Sequence, residues 1–381
     1  MAETVLDHEI ERSGKLGATG VAGRSETFLP SRSPSTHASF LLQLGNGDLG
    51  AVWFGGTQEG KPDVSIYFSL LPKGATSWSA EQKLSEDPTR SEQNPVLFET
   101  PAGELWVLYT AQLFGNQDTS IVRRRISRDG GRSWGPIETF IDEPGTFIRN
   151  PVIITDNGDW LLPIFRCRPV PGEKWSGAND IAAVKISSDQ GVSWSDHELP
   201  QSLGAVHMNI VKVPGKLIGF YRNRLATFVL KAESHDQGRT WTVPAPTAIP
   251  NNNASIQARR LRDGRIVLIC NPVNARIAGE AGRPDLIAKL DASSGKPIWG
   301  TPRAPVSLLV SSDDGESFPL RLDIENGQGW CHAGLPTEAQ PVNSELSYPS
   351  VEEKVDGTIA VSFTWHRKAI KYVELDPSLL R

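Results

Sequence analysis

Residues 127–134 read SRDGGRSW, and the chain writes nearly the same phrase three more times. SSDQGVSW starts at Ser187, SHDQGRTW at Ser234 and SSDDGESF at Ser311, so the shared form is Ser-x-Asp-x-Gly-x-Ser/Thr-Trp with Phe318 as the last aromatic. Each position has a physical task. Ser and Asp hydrogen-bond backbone groups inside the turn, Gly supplies a positive φ, and the indole buries itself between strands. Asp129, Gly131 and Trp134 play these parts first, and GATSW, ending at Trp78, reads as a degenerate fifth copy.

A second repeat runs out of phase with the turns. SFLLQLGNGDLGAVWF, PVLFETPAGELWVLYT, PVIITDNGDWLLPIFR, NIVKVPGKLIGFYR, IQARRLRDGRIVLICN and PSVEEKVDGTIAVSFTW each show an apolar strand, a Gly-containing turn and another apolar strand. Six such β-hairpins, with an Asp turn joining a third strand to a fourth, describe units of four antiparallel strands. Units of about 50 residues built this way are the mark of a β-propeller. The hairpins open near residues 37, 94, 150, 207, 254 and 348, and the last interval is too long for a plain blade. It holds a stretch, residues 274–305, that reads as a long loop inside blade five. The expectation is therefore an all-β, six-bladed propeller spanning residues 1–381 as one domain, with a strand around TVLDHEIE closing the sixth blade. Seven blades is the alternative.

Composition agrees with a turn-rich β fold: 35 Gly and 28 Pro accompany 38% hydrophobic and 22% charged residues. The net charge of -5, with both signs scattered, offers no basic stripe to a nucleic acid. No apolar run is long enough to span a membrane, and the first residues, MAETVLDHEIERSG, carry acids where a signal peptide has its apolar core. A cytoplasmic location is expected on that ground, although a natural leader upstream of Met1 would leave the same reading for a secreted protein. Cys167, Cys270 and Cys331 have neither zinc nor disulfide spacing and read as reduced thiols. No metal or cofactor is expected.

The four turns in register with six hairpins resemble the Asp-boxes, or BNR repeats, of the sialidase superfamily. THASFLLQLGNGDLGAVWFGGTQEGKPDVSIYFS and SYPSVEEKVDGTIAVSFTWHRKAIKYVELD look like the opening and close of its bacterial neuraminidase-like branch. The resemblance implies a tyrosine nucleophile opening the last blade, a glutamate that activates it, an aspartate acid and three arginines for a sugar carboxylate. SYPSVEE places Tyr348 at the tyrosine position, and HMNIVKVPGKLIGFYR places Arg222 at the second arginine. The chain departs from the pattern twice. His207 stands where the glutamate is expected, and Thr36-His37-Ala38-Ser39 replaces the motif that carries the first arginine.

In a propeller the innermost strands begin near the central mouth, so the hairpin openers converge there. These are His37, Asn94, Arg149 with Asn150, His207 with Asn209, Asn253 and Tyr348. Tyr348 needs a proton acceptor or a nearby cation to react at neutral pH, which His207 is expected to supply. His37 is a candidate proton donor, Glu59 in GGTQEG a candidate acid, and Arg222 and Arg166 planar forks for a carboxylate. Arg149, Asn150, Asn94 and Asn209 complete the expected binding set, and Trp53, Trp175 and Trp365 are candidate sugar platforms. Two reactions fit a carbohydrate partner: exo-acting hydrolysis of a terminal, acidic sugar with Tyr348 as nucleophile, and β-elimination on a uronic acid. A carbohydrate-binding propeller without turnover is the third reading.

Overall fold

A computed structural model describes residues 11–292, 295–327 and 343–381. Six antiparallel sheets follow one another along the chain. The first five blades are Ser35–Gln43 to Gln82–Lys83, Arg90–Glu99 to Glu138–Ile141, Thr146–Ile148 to Ser195–Glu198, Ala205–Val213 to Ala245–Pro250, and Gln257–Arg260 to Leu320–Glu325. Each pairs its strands in chain order, save that the inner strand of the third is split in two pieces that both pair with Trp160–Arg166, and neighbouring blades pack against one another until the sixth meets the first. The fold is the six-bladed propeller.

The sixth blade joins the two ends of the described chain. Leu346–Glu353, Ile359–Trp365 and Ala369–Leu375 are extended by Arg24–Phe28, which pairs antiparallel to Ala369–Leu375. Residues 4–10 of the expected strap lie outside the described residues, and the strand that closes the ring is the later segment RSETF. Phe28 packs edge-on against Trp365 at 5.1 Å, and Lys371 binds both Glu26 and Glu325, tying this strand to blade five.

Blade five carries the long interval. Between Ile266–Cys270 and Val306–Ser311 the chain forms two short helices, Ala275–Glu280 and Pro284–Ala292, where a plain loop was expected. Asn274 starts the first by accepting a hydrogen bond from the Ile277 amide.

The repeated turns have one geometry. In each, the Ser hydroxyl donates to the Asp carboxylate and accepts from the Gly amide, at Ser127, Ser187, Ser234 and Ser311 alike. They join the third strand to the fourth, at the end of the blade away from the mouth. Each glycine is pressed on the preceding blade: a Cβ on Gly131 would stand 2.5 Å from Phe68, and one on Gly315 2.9 Å from Phe220. The turns are seams.

Candidate active site

Five of the six inner strands share a backbone irregularity at the mouth. Ala38, Asn94, His207, Asn253 and Tyr348 all adopt positive φ, between 50° and 56°. Register slips accompany four of them, between His37 and Phe40, Gln93 and Val96, Val206 and Asn209, and Ser347 and Ser350. In the third blade the inner strand breaks instead, from Ile148 to Ile153. A bulge turns one side chain out of the alternating pattern and re-aims it, here toward the axis. Residues as large as His and Tyr enter this region only at a conformational cost, and such outliers gather at functional sites.

The mouth is a cavity of about 370 Å³ whose wall includes Glu59, Asn94, Trp175, His207, Arg222 and Tyr348. Arg222 Nη1 donates to the Tyr348 hydroxyl at 2.6 Å, while its Nε donates to Asn253 Oδ1 at 2.8 Å. Three guanidinium groups surround the phenol ring: Arg149 at 5.4 Å, Arg303 at 5.5 Å and Arg222 at 5.8 Å from its centroid. Among the described residues Arg222 makes no ion pair, in contrast to the other arginines of the wall. Arg224 binds Asp180 at 2.6 Å, Arg303 binds Glu345 at 2.6 Å, and Arg367 binds both Glu345 and Glu59.

Burial, reinforced by the field of Arg222, Arg224, Arg149 and Arg303, holds His207 well below the ordinary imidazole value. The ring is neutral at neutral pH and its Nδ1 has no hydrogen-bond partner among the described residues. Burial would raise Glu345, but Arg367, Arg303 and His37 outweigh it and keep that carboxyl well below its usual range. Burial also lowers Arg222 to about 10, against the pull of Tyr348. The result is a desolvated, cationic pocket suited to an anion.

Of the expected residues, Tyr348, His207, Arg222, Asn94 and Glu59 line this cavity. His207 stands edge-on to the Tyr348 ring at 5.8 Å, and the phenol's hydrogen bond comes from Arg222 rather than from a histidine base. The remaining expected residues stand elsewhere. His37 packs behind Tyr348 with ring centroids 4.2 Å apart, 1% exposed, and bonds Thr364 at 2.7 Å, so it is shut off from any leaving group. Arg166 pairs with Asp196 and Glu143 away from the pocket. Arg149 is a staple: it donates to the carbonyls of Ser39 and Tyr348, holding two bulges together. Asn150 donates to the His207 and Met208 carbonyls, and Asn209 accepts from the Ala258 amide, so both join neighbouring blades. Of the Trp candidates, Trp175 lines the pocket, whereas Trp53 is wholly buried in the core and Trp365 packs on Phe28.

Sequence reasoning missed Arg224, Arg303, Arg367 and Glu345. Arg224 follows Arg222 by two residues in FYRNR, and Glu345 precedes Tyr348 by three in SELSY, so proximity was a usable signal for both. Arg303 had none, because it comes with Trp299 from the segment read as a loop. No cluster of three metal-ligating side chains exists among the described residues. Cys167 and Cys270 are buried free thiols, while Cys331 lies outside the described residues.

A family model described as a BNR repeat-like domain matches residues 47–361. No curated protein sequence matches the chain. Among solved structures the fold is similar to the Hadza microbial sialidase Hz136, with a TM-score of 0.70 at 13% identity over 93% of this chain and 69% of that one. The NanB sialidase from Streptococcus pneumoniae gives a TM-score of 0.67 at 12% identity, over 97% and 71% of the two chains. The intramolecular trans-sialidase from Ruminococcus gnavus gives 0.64 at 14%, over 95% and 99%. At such identities the likeness carries the fold and leaves the reaction to the site. The repeated turns, the six blades and a family match over most of the chain make this a member of the BNR repeat-like domain family, with a fold like that of the sialidases.

Proposed function

We propose that the protein is an exo-acting glycoside hydrolase for a terminal acidic sugar, with Tyr348 as its nucleophile. The observation that supports this is the contact between Arg222, which lacks a carboxylate partner among the described residues, and the Tyr348 hydroxyl at 2.6 Å. One guanidinium thereby both fixes the phenol oxygen in place and presents uncompensated positive charge to a substrate carboxylate. The similar trans-sialidase from Ruminococcus gnavus was solved with oseltamivir carboxylate, itself an anionic ligand. In this reading Tyr348 Oη attacks the anomeric carbon as the glycosidic bond breaks, and its proton leaves to water at the cavity mouth. Glu59 at the mouth, once parted from Arg367, takes up a proton from solvent and passes it to the leaving oxygen; the resulting carboxylate then accepts a proton from the water that releases the sugar from tyrosine.

β-Elimination on a uronic acid is the second reading. It is favoured by the same phenol having a guanidinium, and no carboxylate base, as its hydrogen-bond partner. There Tyr348 would remove the proton next to the carboxylate while Arg222 neutralises the developing charge.

One experiment separates them. Wild type, Tyr348→Phe and Arg222→Lys are incubated with terminal sialosides, glucuronides and rhamnosyl-glucuronides, and released sugar is followed beside ultraviolet absorbance. Sugar release without new absorbance, lost in Tyr348→Phe and reduced roughly a hundredfold or more in Arg222→Lys, is the expected result. New absorbance means an unsaturated uronate and elimination. Silence across the panel from folded wild type overturns both and leaves a binding propeller.

A further inference from the structure

The cavity is polarised. Arg222 and Arg224 come from blade four, Arg303 from the blade-five insertion and Arg367 from blade six, while the second blade supplies Gln93, Asn94, Gln112 and Gln117. In a six-membered ring blades two and five stand opposite each other. A charged wall therefore faces a wall of neutral amides across the space a substrate would fill.

Two groups on the amide wall are buried without a partner. Asn94 Oδ1 and Gln112 Oε1 have no hydrogen-bond donor among the described residues, although Asn94 is 5% exposed and Gln112 4%. A buried carbonyl left unpaired is costly, and native structures rarely leave one without a reason. Their surroundings show that the reason is not loose packing. Gln93, next to Asn94, donates its side-chain amide to Ser91 at 2.9 Å, and its backbone carbonyl accepts from Thr110. Asparagines near equivalent places in other blades are engaged as well. Asn150 binds backbone of the next blade, and Asn253 joins Arg222 to the Ile298 carbonyl. Asn94 thus lines the cavity from a bulge, with a side-chain oxygen that is buried and lacks a donor among the described residues.

We propose that Asn94 and Gln112 are specificity residues whose side-chain carbonyls accept hydrogen bonds from two donors, hydroxyl or amide N–H, on the part of the sugar acid remote from its carboxylate. This rests on the reading of the cavity as an acidic-sugar site. The carboxylate anchors on the arginine wall and the ring presents its donors to the second blade. An analogue lacking a matched donor leaves a buried carbonyl unpaired, and sites built this way discriminate strongly against such analogues. Sialic and uronic acids both carry this combination of anion and donors.

The test is calorimetric titration of N-acetylneuraminate, D-glucuronate and a monodeoxy series of each into wild type, Asn94→Ala, Gln112→Met and Arg222→Lys. Gln112 lies in the regular strand Leu105–Leu113, so Gln112→Met serves if the strained bulge does not tolerate Asn94→Ala. Either amide variant is expected to weaken the acid that wild type binds by roughly ten- to a hundredfold. The loss should vanish for the one deoxy analogue that lacks the matching donor, because that pairing is already absent. Which acid responds identifies the source. If an acid binds wild type and weakens in Arg222→Lys but not in the amide variants, this inference falls and the acidic-sugar reading stands. If neither acid binds folded wild type, both fall.

Discussion

Tyr348 and His207 sit at φ 51° and 53°, where a side chain crowds its own backbone at a cost of roughly 1–2 kcal/mol each. Arg149 is the compensation under Tyr348, since its guanidinium holds the Tyr348 carbonyl at 3.1 Å while contributing positive charge below the ring. Keeping the neighbouring imidazoles neutral has a consequence for stability. Burial, then Arg367, depresses His37 with Glu345 opposing, and burial and the arginines depress His207. An unfolded histidine titrates near 6.5, so below that pH the unfolded chain binds the protons first and stability falls by up to ~1.4 kcal/mol per pH unit per ring. Glu352 acts in the opposite sense. Burial raises it to about 7 despite Arg259, so its protonated form favours the fold at low pH and that contribution is lost as the pH rises through about 7. With three depressed rings, His37, His207 and His366, against the raised carboxyls of Glu92 and Glu352, the urea midpoint should drop between pH 6.5 and 5. In His207→Asn, whose new residue tolerates positive φ, the drop should be shallower. Equal slopes would mean that His207 is not held neutral.

At the scale of elements, the repeated turn acts through its glycine. Gly131 combines φ 88° with a would-be Cβ 2.5 Å from the Phe68 ring, which is itself fixed edge-on by Trp134 at 5.2 Å. A methyl group there meets both backbone strain and a rigid neighbour in the adjoining blade. Gly74, with φ 76° and open space around its Cβ position, presents the strain alone. Gly131→Ala should therefore cost about 2–4 kcal/mol of unfolding free energy, and Gly74→Ala about 1 kcal/mol. Chemical denaturation of the two variants beside wild type checks this. Similar losses would show that the seam relaxes around the added carbon.

At the scale of the whole molecule, ring closure depends on one short N-terminal strand. Arg24–Phe28 covers the open edge of Ala369–Leu375, and Arg24 reaches the Ile324 carbonyl of blade five at 2.7 Å. A chain beginning at Ser33 would leave that edge unpaired and available for association with other chains. It should unfold at lower temperature than wild type and aggregate, as followed by light scattering during a melt. The sequence itself determined the blade count, because the hairpin period and the four Ser-x-Asp-x-Gly turns are local rules of turn chemistry and strand alternation that operate within a few residues. It also placed Tyr348 and His207 at strand openings and Arg222 at the close of a hairpin, positions that the topology of a propeller brings to one mouth. What it could not decide is which polar opener faces the cavity and which faces a neighbouring blade. Arg149, Asn150 and Asn209 became inter-blade ties and Arg166 an outer ion pair, while Arg303 entered from an insertion with no strand pattern. Those outcomes follow from bulges and hydrogen-bond partners contributed by residues distant in sequence, and only the tertiary structure brings such partners within bonding distance.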